Sequence, residues 1–407
     1  MAQYNITLDS GLLKDLFLSD NGASKLLEQV LNQVLDAQAT EQLKAAPYER
    51  TEEREGYRNG TRTRPLTTRV GRITLRIPRL RNGAFSTELF SRYQRSEQAL
   101  VLALMEMVVN GVSTRKVANI TEELCGVEFS KSTVSDLCKN LDPVVEAWNN
   151  RSLKEHQYPF LMVDAIVVKV REDERVRSRA ILVAIGFSDE GEREILGMMV
   201  GDSESEESWK EFFTWLKSRD LRGVDFVISD SHSGLVKAVK AAFQGCTWQR
   251  CQVHFMRNLL AAAPKKLHEE LRKRVRGVLD APDLKTARLL AAQVTEDYAD
   301  TAPKVVELLD NAFDDVTAVL VLPEMYRVRL RTTNDIERLN EELRRRETVI
   351  RIFPNRQSAI RLMGTLMMEL NERWHLGRRP FSMEQYWQWR KQNKDERIER
   401  SVVKRIV

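Results

Sequence analysis

A mixed α/β fold with a large helical block is predicted by three features of the sequence. Residues 155–255 alternate apolar, β-branched runs with amphipathic stretches. Residues 256–330 are helical in pattern almost throughout, and the first 150 residues carry helical periodicity around an arginine-rich stretch. A chain of 407 residues exceeds one compact core, so several domains are expected. The 42% apolar content is that of a globular protein and excludes global disorder. No apolar run reaches the roughly 18 residues that a membrane span requires. The N-terminus, MAQYNITLDSGLLKDLF, lacks the basic, apolar and small-residue order of a signal peptide. Cys125, Cys138, Cys246 and Cys251 form no CxxC pair and no disulfide framework, so a reduced cytosolic protein is expected.

Residues 1–47 read as an N-terminal helical region, with Leu26, Leu27, Val30, Leu31, Val34 and Leu35 at helical spacing between Gly22 and Pro47. Residues 48–95 form an arginine-rich module without lysine, including Arg58, Arg62, Arg64, Arg72, Arg76, Arg79 and Arg81. The net charge is only +5, but arginine so concentrated suits bidentate phosphate contacts. Asn59-Gly60 and Asn82-Gly83 are turn signals, and Val70, Ile73, Leu75 and Ile77 between them suggest short strands. In residues 96–150, Ser113 and Ser130 are N-cap candidates for two short helices separated by Gly126. Lys131, Ser132 and Thr133 lead the second helix, as in a helix-turn-helix whose recognition helix reaches DNA. An ordinary αα-corner gives the same pattern; the basic module upstream favours DNA.

The middle of the chain orders its elements β-β-β-α-β-α-β, through YPFLMVDAIVVKV, RAILVAIGFS, REILGMMVGD, ESEESWKEFFTWLKSR, VDFVISD, SGLVKAVKAAF and CTWQRCQVH. Three strands followed by alternating helix and strand is the order of the ribonuclease H-like fold. The core is therefore expected over 155–255 and, after a helical insertion at 256–330, over 331–375. Residues 376–407 read as a polar, basic and peripheral tail.

Asp164 lies within the apolar run FLMVDAIVV, where a carboxylate is costly unless paired, hydrogen-bonded or bound to metal. Asp230 closes the apolar strand VDFVISD, at the end where ligand sites on such sheets gather. Two such aspartates on neighbouring strands can share divalent cations. In RTTNDIERLNEELRRR, Glu337 and Glu341 share a helical face while Asp335 and Glu342 point elsewhere. Spacing alone does not choose between the two glutamates. Arg344, Arg345 and Arg346 on the same helix are candidate phosphate contacts.

Taken together, VDAI, ISDSHSGL, RCQVHFMRN and RTTNDIERLNEELRRR followed by IRIFPN resemble the Mutator-like bacterial insertion-sequence transposases. The resemblance extends through RNGTRTRPLTTRVGRITLRIPRLRNGAF and covers nearly the whole chain. It implies Asp164, Asp230 and Glu337 as catalytic, metal-binding carboxylates, spaced by 66 (230 − 164) and 107 (337 − 230) residues. It implies two Mg²⁺ ions, for which Mn²⁺ substitutes. Cys251 and His254 match the family's Cys-x-x-His motif, and Asn334 and Arg338 flank Glu337 in its TTN-x-IER pattern. All four are taken as supporting the site. Two adjacent ligands with no second pair nearby do not predict a zinc site. The family further implies a homodimer acting on terminal inverted repeats and target DNA, in the bacterial cytoplasm and on the nucleoid when DNA-bound.

Overall fold

The computed structural model describes residues 6–8, 10–19, 21–81, 85–87, 89, 96–125 and 129–393. Two compact units divide at Asn140 and Leu141.

The first unit begins with helices α1 (Ser10–Leu18) and α2 (Gly22–Leu43), followed by the antiparallel pair β1 (Arg58–Thr68) and β2 (Gly71–Leu80). Leu35 of α2 packs with Leu66, Ile73, Leu75 and Ile77 from one face of this hairpin. The free edge of β2 is closed by α2: Glu28 accepts from the Thr74 N–H at 2.8 Å, and Asn32 accepts from the Arg76 N–H at 2.6 Å. Such coverage removes an open sheet edge.

The hairpin turn is not at the Asn-Gly pair that the sequence suggests. It lies at Arg69-Val70, where the Thr68 hydroxyl donates to the Gly71 carbonyl at 2.8 Å. Asn59-Gly60 sits inside β1 at a register irregularity between Arg58 and Thr61, with Gly60 at φ +72°. A bulge and a turn both need positive φ, so the dipeptide signals either one. Val70 accordingly belongs to the turn, while Asn82-Gly83 lies outside the described residues.

Three helices complete this unit: α3 (Gln98–Val109), α4 (Thr114–Cys125) and α5 (Lys131–Cys138). Ser113 Oγ accepts from the Lys116 N–H at 3.3 Å, and Ser130 Oγ from the Thr133 N–H at 3.1 Å, so both expected caps are formed. The segment 126–128 that joins α4 to α5 lies outside the described residues.

The second unit begins with α6 (Asp142–Asn149), assigned by the sequence pattern to the region before it. Strands β3 (Phe160–Glu172), β4 (Arg175–Phe187) and β5 (Arg193–Gly201) follow, then α7 (Glu206–Ser218), β6 (Phe226–Ser229), α8 (Ser233–Ala242) and β7 (Thr247–Arg250). The five strands form one sheet in the order β5-β4-β3-β6-β7. The β3–β4 and β4–β5 pairs are antiparallel, and β6 lies parallel to both β3 and β7. Trp209, Phe212, Phe213 and Leu216 of α7, with Leu235 and Val239 of α8, cover one face over Leu161, Val163, Leu182 and Val227.

Helices α9 (Gln252–Ala261), α10 (His268–Leu279), α11 (Leu284–Tyr298) and α12 (Pro303–Thr317) enclose their own apolar cluster, including Phe255, Leu271, Val275 and Leu309. They are followed by α13 (Glu324–Leu330), α14 (Asn334–Ile350) and α15 (Arg356–His375). α14 packs on β3, and α15 on β3, β5 and α6. Arg361 of α15 is held by Asp142 of α6 at 2.6 and 2.8 Å.

The chain beyond Pro380 is not peripheral as far as residue 393. Phe381, Met383 and Tyr386 are buried, and residues 384–393 form a last helix, α16. Tyr386 lies 4.8 Å from the Phe160 ring and hydrogen-bonds Asp225, which Arg390 also meets at 2.8 Å. Charged neighbours lower the segment's mean hydropathy and hide these aromatic anchors. Residues 394–407 lie outside the described residues.

Phe213 is fully buried between Trp209 and Phe243. Phe213→Ala should therefore lower unfolding stability by about 3–5 kcal/mol, read from the urea midpoint. A loss within about 1 kcal/mol would show that this face of the sheet is not closely packed.

Candidate active site

The sheet register brings the two aspartates together. Phe160 pairs with Phe226 and Met162 with Ile228, an offset of 66 residues (226 − 160), and Asp230 follows Asp164 by the same 66 (230 − 164). β6 ends at Ser229, so Asp230 is the first residue past the ladder, beside Asp164 on its parallel neighbour. Parallel strands lie about 4.8 Å apart, which lets two such carboxylates share a cation.

Both oxygens of Asp164 are engaged. Oδ1 accepts from the Ala165 N–H at 2.9 Å, and Oδ2 accepts from Asn340 Nδ2 at 2.7 Å. Burial pushes this carboxyl up to about 6. The Ala165 N–H and His254 pull it down, whereas the nearby charges of Asp230 and Glu204 push it further up. Asp230 Oδ1 accepts from the His232 N–H at 3.1 Å.

Glu204 is a fourth acid in this environment, unmarked in the sequence because it stands among the loop acids of GDSESEES. Burial raises its pKa, His232 lowers it and Asp230 raises it. Its Oε1 lies 3.8 Å from His232 Nδ1. Gly234 allows the Asp230 loop to dock here, since a Cβ at that position would lie 2.8 Å from the Glu206 nitrogen.

The third carboxylate arrives on α14. Glu337 is half-buried and Glu341 is exposed, so the two glutamates are not equivalent as the helical spacing suggests. Glu337 Oε1 lies 3.4 Å from His254 Nε2 and 3.2 Å from the Thr333 hydroxyl. That hydroxyl and the Thr333 N–H also donate to Cys251 Sγ, at 3.2 and 3.4 Å. Burial pushes the Cys251 thiol up, but contacts from His254 and Thr333 outweigh it and leave the thiol below its ordinary value. Contact with Cys251 in turn raises His254 against its own burial, with Glu337 adding to the rise. Donor atoms of Cys251, His254 and Glu337 lie within 4.8 Å of one another, a grouping that sequence spacing does not reveal.

Asn334 and Arg338 are exposed on α14, whereas Asp335 points inward. It is buried and paired with Arg193, whose guanidinium lies 3.8 Å from the Trp374 ring centroid; Arg329 stands 3.9 Å away. This pairing orients the first turn of α14. A divalent cation fits the donors present: Asp164 is half-buried with the charges of Asp230 and Glu204 nearby, and Asn340 Oδ1 is buried with no hydrogen-bond partner among the described residues.

The arginines of the first unit divide by role. Arg58 is held by Asp36 at 2.5 Å and by the Thr40 hydroxyl at 2.6 Å, so its guanidinium is engaged within the unit. Arg64 is half-buried, and Arg62, Arg72, Arg76, Arg79 and Arg81 are exposed. Arg72 and Arg76 project from one face of β2, opposite Thr67 and Thr63 of β1. Lys131, Ser132 and Thr133 are exposed at the start of α5, with the Ser132 and Thr133 hydroxyls 2.8 and 2.9 Å from Ser130 Oγ. In the second unit Arg344 and Arg345 are exposed, Arg346 is half-buried, and Arg345 pairs with Glu342 at 3.1 Å.

The family described as "Transposase, Mutator family" matches residues 1–377. The chain is 46% identical over 379 residues to the transposase for insertion sequence element IS256 in transposon Tn4001 of Staphylococcus aureus, covering 92% of this chain and 97% of that protein. It is 43% identical over 376 residues to the transposase for ISRM5 of Rhizobium meliloti, covering 92% and 94%. With the transposase for IS1081 of Mycobacterium tuberculosis, identity is 39% over 360 residues, covering 88% and 87%.

The raised Asp164 carboxyl has a consequence for stability. Its pKa stands at about 6 in the folded chain against an ordinary 3.8. The folded state thus holds a proton that the unfolded state has released. The resulting stability is present below about pH 4 and is lost as pH rises through about 6, on the order of 3 kcal/mol. Asp164→Asn does not titrate, so it should gain on the wild type between about pH 4 and 6 and remain ahead at pH 7. Mn²⁺ should narrow that gap by stabilising the wild type alone, as read by thermal unfolding across pH. A gap independent of both pH and Mn²⁺ would contradict this account of the carboxylate.

Proposed function

The chain belongs to the Mutator family of transposases, and from this membership and the carboxylate cluster we propose that it is a DDE transposase with a ribonuclease H-like core. Insertion-sequence transposition is its function, and as a transposase it binds DNA. The proposed chemistry is metal-dependent cleavage at the terminal inverted repeats of its own element, followed by strand transfer into target DNA. The observation that carries this reading is the shared 66-residue offset, which sets Asp230 beside Asp164 where β6 ends. In this reading α14, bonded to Asp164 through Asn340, supplies Glu337 as the third carboxylate.

In this reading Asp164, Asp230 and Glu337 hold two Mg²⁺ ions, or Mn²⁺ in their place. Such ions would supply activation of a water and stabilisation of the departing 3′ oxygen in phosphodiester hydrolysis. Asp164 and Asp230, on adjacent parallel strands, would hold the ions at a separation set by the strand register. Thr333 and His254 orient the Glu337 carboxylate. The freed 3′ hydroxyl takes the place of water in the joining step, so one carboxylate set serves both reactions. α9 to α13, lying in the chain between the second and third carboxylates, form the insertion domain.

DNA gripping is assigned to the first unit. α4 and α5 act as a helix-turn-helix, presenting Lys131, Ser132 and Thr133, and the Arg72–Arg76 face of the hairpin contacts phosphates. A homodimer that pairs two element ends in the bacterial cytoplasm completes the proposal. Among the described residues no helix is long and apolar enough to cross a membrane.

Asp164→Asn, Asp230→Asn and Glu337→Gln should each abolish Mg²⁺-dependent cleavage of DNA carrying the element's ends. Their DNA affinity should stay within about twofold of wild type, since the binding surface is intact. Glu341→Gln should cut normally. A cleaving Glu337→Gln protein would remove the proposed third ligand. DNA binding should weaken steeply with salt, and Arg72→Ala with Arg76→Ala should lower the log–log salt slope by about two. An unchanged slope would remove the hairpin from the phosphate contacts.

A further inference from the structure

α14 buries one face, and Ile336, Leu339 and Leu343 on it are apolar and buried. Asn340 interrupts this face although it is itself only 7% exposed. A buried amide costs free energy that a leucine there would not, unless its hydrogen bonds are made. Only half are: Nδ2 donates to Asp164 Oδ2 at 2.7 Å, while Oδ1 has no partner among the described residues. Packing alone therefore does not account for this residue.

Its place on the helix supplies the reason. Asn340 follows Glu337 by three residues and about 4.5 Å along the axis, so the two side chains are neighbours on one rigid element. The bond to Asp164 thus ties the strand that carries the first carboxylate to the helix that carries the third. Because Ala165 N–H holds Oδ1 of Asp164, the Asn340 bond completes the definition of that carboxylate's plane.

We propose that Asn340 is a positioning residue of the metal site, orienting Asp164 and setting the separation between Asp164 and Glu337. The proposal rests on the reading of Asp164 as a metal ligand. Partners that orient metal ligands typically contribute a factor of about 10–100 to metal affinity. Loss of Asn340 should therefore appear first as weaker metal binding, with the DNA surface untouched.

The test is Mn²⁺ titration of the 407-residue chain, followed by electron paramagnetic resonance of the free ion, for wild type, Asn340→Ala, Asn340→Leu and Asp164→Asn. Near-ultraviolet circular dichroism and DNA affinity report folding of each variant. Asn340→Leu nearly keeps the side chain's size, suits the apolar face of the helix and removes the N–H donor. Both Asn340 variants are expected to fold, bind DNA as wild type does and bind Mn²⁺ about 10–100-fold more weakly. Cleavage by Asn340→Ala should recover as Mn²⁺ is raised, whereas Asp164→Asn should not recover. Wild-type Mn²⁺ affinity in both folded Asn340 variants, with binding lost in Asp164→Asn, would overturn the positioning role alone. Equal Mn²⁺ binding by wild type and Asp164→Asn would overturn the metal reading and this role with it.

Discussion

The desolvation of Asp164 is the constraint around which the second unit is arranged. A carboxylate midway along β3, flanked by buried Val163 and Ile166, loses much of its hydration. That loss raises its pKa to about 6, so near neutrality its charge is held at a cost. The neighbouring acids add to the cost instead of relieving it: Asp230 and Glu204 both push the same carboxyl up. Hydrogen bonds from Ala165 and Asn340 offset part of it. A concentration of negative charge around Asp164 is what a bound divalent cation would balance.

The remaining architecture serves to bring α14 against β3 at Asp164. Its first turn is oriented by buried Asp335 against Arg193, which in turn lies over Trp374 of α15. Just past its C-terminal end, Phe353 exchanges backbone hydrogen bonds with Lys169 and Arg171, at 2.8 and 2.9 Å, on the stretch of β3 beyond the end of β6. Between these anchors stand Glu337 and Asn340. Cys251, which ends β7's run and caps α9, reaches the same helix through Thr333. The long helical block between the second and third carboxylates therefore leaves and returns at one place, since Gln252 N–H also bonds the Arg331 carbonyl at 2.9 Å.

Much of this was legible in the sequence where a single period governs a segment. The apolar runs of β3 to β6 and the caps at Ser113 and Ser130 follow from local patterning, whereas the run CTWQRCQVH, expected as one strand, ends its strand at Arg250 and turns into α9 at Gln252. What escaped was decided by tertiary partners. Gly60 serves a bulge and not a turn because the chain pairs across it. Arg58 resembles its exposed neighbours in sequence, yet Asp36 on α2 engages it. The aromatic anchors of residues 381–389 were masked by the polar residues among them. Helical spacing leaves Glu337 and Glu341 equivalent; the family resemblance points to Glu337, and in the fold Glu337 is half-buried while Glu341 is exposed. Glu204 and Asn340 carried no local signal, because their meaning lies wholly in contacts across the fold.

The central claim is that these three carboxylates form one cation-binding site. The most direct measurement is anomalous diffraction from crystals of the chain soaked in Mn²⁺, alone and with DNA of the element's ends. The expected result is Mn²⁺ density between Asp164 and Asp230, with a second ion reaching Glu337 when DNA is bound. Ordered Mn²⁺ elsewhere, with no density at Asp164 in either state, would contradict the account.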